Sequence, residues 1–466
     1  MSRMMPVFAC VLMLLTASAF AANPAGHWEG AIELPGAALG VKVDLAETGG
    51  AWGGTIDIPM QGALGLKLAG VRVAADSVTF AIEGIPGAPT FRGVQADTTL
   101  AGTFSQGGQS FPFHLGRAVM AAPKRPQEPK PPFPYTAEDV GYADGDVHLA
   151  ATLTLPPGQG PFPAAVLITG SGPQDRDEAL FGHKPFAVLA DALTRRGIAV
   201  LRADDRGVGG STGNRRTSTS ADYAQDALAG VRYLQTRPEI DRRRIGLVGH
   251  SEGGLIAPMV AAEAPDEIAY IVLMAGPGVP LGDVVKRQVG LISAASGADS
   301  AAVADEVALT SLVIDMIAAG SDSAAVRARF EQAVRDAAAA TGQPVTDEQV
   351  NQLADANLRG VFSPWFRYAL TLDPVKALRQ VHCPVLAING ELDRQVDPDQ
   401  NLYPIEKALA EAGNPDVTIA RMPMLNHMLQ TARTGAPAEY AAIEETMSPA
   451  ALALIGDWIT ERFGSR

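Results

Sequence analysis

Two rhythms of apolar and polar positions divide this chain. Over residues 23–118 the two alternate in short runs separated by glycine, as in Ala31–Leu34, Val41–Leu45, Gly54–Ile58 and Ser77–Ile82. Period-2 patterning in runs of this length predicts an antiparallel β-rich domain. Ala38–Val43 and Ala63–Leu68 echo one another within it. Residues 119–135, rich in proline, then predict a stiff, extended linker.

From residue 136 apolar runs of strand length alternate with segments of helical period. Strands are expected at Val147–Leu155, Ala164–Thr169, Ile198–Arg202, Arg244–Val248, Ile268–Met274, Pro384–Asn389 and Asp416–Arg421. Helices are expected at Lys184–Arg196, Ala221–Gln235, Leu255–Ala264 and Pro449–Arg462. Such alternation predicts an α/β fold, with a mostly parallel sheet covered by helices on both faces. Residues 279–370 interrupt it with alanine-rich helical sequence, including Ala324–Ala340 and Asp347–Asn357. That stretch reads as a helical cap inserted between a first core part, 136–278, and a second, 371–466.

The chemistry concentrates at Ile245–Gly254, where an apolar strand runs through Gly249-His250-Ser251-Glu252-Gly253 into a helix. A serine on so tight a strand-to-helix turn is a candidate nucleophile, lifted off the sheet and facing a helix N-terminus. It needs a base, and the base needs an acid to orient it. Of the seven histidines, His27 and His114 belong to the N-terminal domain, His148 and His183 precede the serine, and His250 is fixed beside it. His382 precedes a buried strand, which leaves His427, in a loop after the penultimate strand, as the base. Asp393, just beyond the strand ending at Asn389, is the expected acid, with Glu391 and Asp397 as competitors. The oxyanion hole is expected from the backbone N–H of Glu252 and of Gly172, with Ser171 in reserve because Pro173 has no N–H. Trp365 and Phe366 suit either an acyl pocket or the packing of the cap. Asp204–Ser211 is glycine-rich but lacks the spacing of a phosphate loop, so a structural turn with Arg206 tied to a carboxylate is expected.

Composition narrows the partners. A formal charge of −14 disfavours nucleic acid. No metal-ligand spacing occurs and no cofactor is implied. Residues 1–21 read as an export signal, with Arg3, the apolar Val7–Leu15 and the small-x-small Ala19-Phe20-Ala21. This predicts an exported, periplasmic protein without a membrane span, with lipid anchoring at Cys10 as a minor alternative. Cys383 would then be the one mature cysteine, so no internal disulfide is expected. The oligomeric state is left open.

Over residues 136–466 the chain resembles the α/β-hydrolase superfamily, and within it bacterial serine carboxylesterases with an extra N-terminal domain, related to dienelactone hydrolases and acyl-peptidases. The resemblance rests on Gly170–Asp177, Asp205–Gly209, Gly249–Gly253, Gly390–Asp393 and Leu425–His427. It implies a Ser251–His427–Asp393 triad and hydrolysis of short-chain, small-molecule acyl esters through an acyl-enzyme. The family's common His-Gly oxyanion motif is replaced here by Gly170-Ser171. A serine peptidase or aminoacyl-amide hydrolase would use the same triad, as would a lactone or β-lactam hydrolase, and these alternatives stay open.

Overall fold

The computed structural model describes residues 23–464, apart from 35–36, 49–50, 59–62, 86, 118–123 and 341–344. The expected export signal and Cys10 lie outside the described residues, as does the start of the expected linker. Contacts divide the chain into two compact units, the second consisting chiefly of Ala121–Arg466.

In the first unit the alternation resolves into eight strands: β1 Gly26–Leu34, β2 Ala37–Thr48, β3 Ala51–Ile58, β4 Ala63–Ala74, β5 Ser77–Ile82, β6 Thr90–Ala96, β7 Thr99–Gln106 and β8 Gln109–Gly116. They form a closed antiparallel barrel, because β1 pairs with β8 in the register Ile32↔Phe113. Closure satisfies the edge strands that an open sheet would leave unpaired. Alternate side chains point inward, and Trp28, Phe80, Phe91 and Phe113 are fully buried. Phe91 stacks on Phe80 at 4.7 Å and meets Phe113 edge-on at 5.1 Å. Each such ring contributes about 1.5–3 kcal/mol of transfer free energy.

The second unit holds an eight-stranded sheet. Its strands are β9 Thr136–Asp144, β10 Val147–Leu155, β11 Phe162–Ile168, β12 Ala199–Ala203, β13 Ile240–His250, β14 Ile271–Met274, β15 Val385–Gly390 and β16 Val417–Met422, in the order β16-β15-β14-β13-β11-β12-β10-β9. From β12 to β16 all pairings are parallel, while β10 pairs antiparallel with both β12 and β9. The sequence pattern missed β9. Most of its side chains are exposed or half-buried, so it carries little apolar signal and is held by its ladder to β10.

One face of the sheet packs against α2 (Ser220–Thr236) and α3 (Glu252–Glu263), through Leu228, Val231, Ile256 and Val260. The other carries the helix Pro185–Thr194 (α1) and the C-terminal helix Pro449–Phe463, through Phe186, Leu189, Ile455 and Trp458. Between β14 and β15 lie α4 Leu281–Ala295, α5 Ser300–Ala318, α6 Ser323–Ala340, α7 Asp347–Asn357, α8 Pro364–Ala369 and α9 Pro374–Leu378. The first five make the cap, with its own apolar cluster around Val313, Ile317, Val326 and Phe330. Residues 124–135 are pinned rather than free. The Arg125 guanidinium donates to the carbonyls of Phe181, Gly182, Ala441 and Ile443, and Gln127 bonds to Thr446 and Met447.

Candidate active site

Ser251 joins β13 to α3 at φ 53°, ψ −113°, a conformation that costs a non-glycine residue of order 1–3 kcal/mol. The flanking glycines serve close approach. A Cβ on Gly249 would lie 2.0 Å from the Gly253 carbonyl oxygen, and one on Gly253 would lie 2.1 Å from that of Ile168. Only bare backbone lets the helix cross the strand so tightly. The Ser251 N–H donates to Met274 O at 2.8 Å, and its carbonyl accepts from Gly254 N at 2.9 Å. Glu252 opens α3, so its N–H has no acceptor within the helix and points out of the positive helix end.

Asp393 and His427 meet on adjoining loops. His427 Nδ1 lies 2.8 Å from Asp393 Oδ2, and both side chains are buried. Asp393 Oδ1 accepts the N–H groups of Gln395 and Val396, each at 2.8 Å, which fixes the carboxylate. Gly390 lets the loops touch, since a Cβ there would lie 2.2 Å from Leu425 O. Asn426, fully buried, accepts from the N–H groups of Met428 and Gln430 and shapes the histidine turn. Neither competing acid bonds to His427. Glu391 accepts from Met424 N, while Asp397 caps the helix Pro398–Glu411 and takes Arg287 Nε at 2.6 Å.

Ser251 opens on a cleft of about 650 Å³, counted to its solvent-filled mouth. Ser171, Glu252 and Trp365 share its wall with aliphatic side chains such as Leu255, Val284 and Leu372. Gly172 instead lines a neighbouring cleft with Asp204, Asp205 and Tyr223, so the structure brings Ser171, not Gly172, to the serine's cavity. Trp365 reaches from α8 to donate its Nε1–H to Glu252 Oε1 at 2.7 Å, the oxygen that also accepts Ser220 Oγ–H at 2.7 Å. Burial pushes the Glu252 carboxyl up, against these two hydrogen bonds. Phe366 packs in the cap's apolar cluster.

The rim after β11 is sewn down by carboxylates. Asp204 receives Arg176 N, Nε and Nη2, and Asp205 accepts from Thr169 Oγ1 and Gln174 N. Arg206 is tied to Asp226 through two bonds of 2.7 Å, in keeping with a structural turn. Burial pushes Asp205 up to about 7, helped by the carboxylates of Glu178 and Glu252 and opposed by its two hydrogen bonds. From the ordinary carboxyl range up to that value, the folded chain holds a proton that the unfolded chain has lost. Asp205 therefore makes stability fall as pH rises through this window, and the effect levels off above it. Asp205→Asn should flatten the slope of unfolding free energy by as much as roughly 1.4 kcal/mol per pH unit. Urea unfolding of both proteins from pH 4 to 7.5 checks this, and identical slopes would refute it.

Two residues that sequence reasoning passed over belong to the site. Glu178 is buried, and its Oε1 accepts Gly170 N–H at 2.7 Å and lies 2.9 Å from His250 Nδ1. Glu178 directly follows Gly170–Asp177, and nothing in its local sequence shows that its partner is His250. Ser220, the first residue of α2 and a donor to Glu252, has no local signal at all.

A strained serine at a strand–helix turn of a mostly parallel sheet, with a histidine–aspartate pair on the loops after later strands, defines the class: an α/β hydrolase. The family model described as serine aminopeptidase, S33, matches residues 184–432, just over half of the chain, and the protein belongs to that family. Esterase EstD of Thermotoga maritima is 34% identical over 140 residues, which cover 30% of this chain and 33% of that protein. The match thus spans about a third of that relative's length. Among solved structures, an esterase of Pyrococcus furiosus aligns at 15% identity over 71% of this chain and 92% of its own, with a TM-score of 0.43. The proline iminopeptidase of Mycobacterium smegmatis aligns at 16% identity over 70% and 98%, with a TM-score of 0.42. Structural likenesses this loose say nothing about substrate.

Proposed function

We propose that this protein is a serine carboxylesterase that cleaves small, neutral acyl esters through an acyl-enzyme on Ser251. One observation carries the reading above all: a serine held at φ 53° at the start of a helix opens on a largely aliphatic cavity. In this reading Asp393 holds the Nδ1–H of His427, leaving Nε2 with the lone pair that takes the Ser251 proton. The hydroxyl oxygen attacks the ester carbonyl, and the N–H groups of Glu252 and Ser171 receive the oxyanion. The sequence favoured Gly172 as second donor. Its position on the neighbouring cleft supports the reserve, Ser171, instead. His427 then protonates the departing alkoxide and activates the water that releases the acid.

The cavity supports a hydrocarbon acyl group. Among the described residues its one ionisable wall residue is Glu252, whose Oε1 is already engaged by Trp365 and Ser220. The esterase name of the Thermotoga relative agrees with this. An aminoacyl-amide substrate draws support from the family's description and from that same Glu252, which would face a protonated amine. Hydrolysis of p-nitrophenyl esters from acetate upward, beside aminoacyl p-nitroanilides, separates the two. Turnover of short esters with no anilide cleavage is expected, and preferred anilide cleavage would overturn the esterase reading.

A further inference from the structure

Behind the nucleophile lies a buried glutamate–histidine pair that the proposed chemistry does not use. Glu178 is 1% exposed and His250, the residue before Ser251, is 5% exposed. His250 Nδ1 lies 2.9 Å from Glu178 Oε1, and its Nε2 lies 3.1 Å from the backbone oxygen of His427. A carboxylate and a carbonyl are both acceptors. One imidazole ring serves both only with a hydrogen on each nitrogen, that is, as the cation. The same Glu178 oxygen accepts Gly170 N–H at 2.7 Å, at the start of the loop that carries Ser171. The ring also packs against that of His427, with centroids 4.8 Å apart.

We infer that Glu178 and a doubly protonated His250 form a positioning clamp, holding the loop of the catalytic histidine and the oxyanion loop in register with Ser251, so that turnover requires the His250 proton. The inference rests on the esterase reading for its kinetic consequence, though not for the state of the ring. Three titratable groups face His250: Glu178 from the loop after β11, His427 from the loop after β16, and Asp393 from the turn after β15. Pro185, Met274, Met428, Leu429 and Met447 line the remaining space with apolar surface. In such surroundings a lone cation would be expelled, and an ion pair with both donors satisfied persists. Burial opposes the charge, but the Glu178 carboxylate and the hydrogen bonds outweigh it, and the pKa of His250 is raised.

A base with a raised folded pKa keeps its charge, and the contacts that need it, at low pH and loses both as pH rises through that pKa. Turnover should therefore decline on the alkaline side as the clamp opens. Glu178→Gln keeps the shape and an oxygen for Gly170 N–H but removes the negative charge. We expect its alkaline limb of kcat to move acidward by at least about one pH unit. At pH 8 kcat should fall roughly 10–100-fold. KM should change little, because neither residue lines the acyl cavity.

The test pairs kinetics with a direct view of the ring. Protein labelled with ¹⁵N-histidine, with the His250 signals assigned by His250→Gln, is titrated from pH 5 to 9 beside the pH profiles of wild type and Glu178→Gln on p-nitrophenyl acetate. Both His250 ring nitrogens protonated at pH 7, with the acidward shift in the variant, is the expected result. A singly protonated ring at pH 7, or coincident alkaline limbs, overturns the clamp. If Glu178→Gln fails to fold, the wild-type titration still decides. Absence of wild-type ester turnover would instead defeat the esterase reading, and the ring titration would continue to test the clamp.

Discussion

Replacing Ser251 by alanine is expected to cut ester turnover roughly 10⁴–10⁶-fold while leaving the fold intact. The loss is large because Ser251 would supply the bond-forming oxygen. Without it, the remaining groups can only hold substrate near a slow water attack. The fold should tolerate the change, since the serine hydroxyl makes no capping bond to α3 and alanine meets the same positive φ as serine. The stability change should stay within about 1 kcal/mol. Two measurements check the prediction: steady-state turnover of p-nitrophenyl acetate, and the mass added by a fluorophosphonate, expected in wild type and absent from the variant. Undiminished turnover by an unlabelled variant would remove Ser251 from the chemistry.

The second large effect is predicted for Asp393→Asn, about 10⁴-fold in kcat. Asp393 has each oxygen committed: Oδ1 to the N–H groups of Gln395 and Val396, Oδ2 to His427 Nδ1. An asparagine has only one oxygen. If that oxygen keeps the two backbone donors, its NH₂ faces Nδ1 and forces the histidine proton onto Nε2, the nitrogen proposed to accept from Ser251. If the amide flips, its NH₂ confronts two N–H groups in a fully buried turn, at a cost of roughly 1–3 kcal/mol. The first orientation disables the base, and the second keeps the working tautomer only at that cost, so the first dominates. The variant should still expose Ser251 to solvent, so slow phosphonate labelling is compatible with the prediction. A kcat within tenfold of wild type would transfer the acid's role elsewhere, with Glu391 and Asp397 the first to test.

The tight turn at Ser251 was legible because its signal is local. Ser251 lies where an apolar run passes through two glycines into a helix, and the reason for the glycines is backbone approach within a few residues of chain. Asp393 and His427 were reached through strand ends and by elimination, since a parallel sheet carries its working loops at the C-terminal ends of its strands. The parallel core and helical insertion were readable from the change of period alone. The edge strand β9 escaped because a strand solvated along much of its length has little apolar alternation.

What the sequence by itself determined, then, is the α/β architecture and the β character of the N-terminal unit, and it singled out the serine, aspartate and histidine proposed here for acyl transfer. The tertiary structure decided whatever depends on which distant residues meet. Barrel closure joins Ile32 to Phe113, and strand alternation is silent about such a pairing. Ser171 rather than Gly172 shares the cavity of Ser251, because the rim's path is fixed by Asp204, Asp205 and Glu178. Trp365 reaches Glu252 across 113 positions of chain, and Glu178 reaches His250 across 72. Periodicity reports which side of an element avoids water. A buried charge finds its partner by geometry, and only the folded chain supplies that.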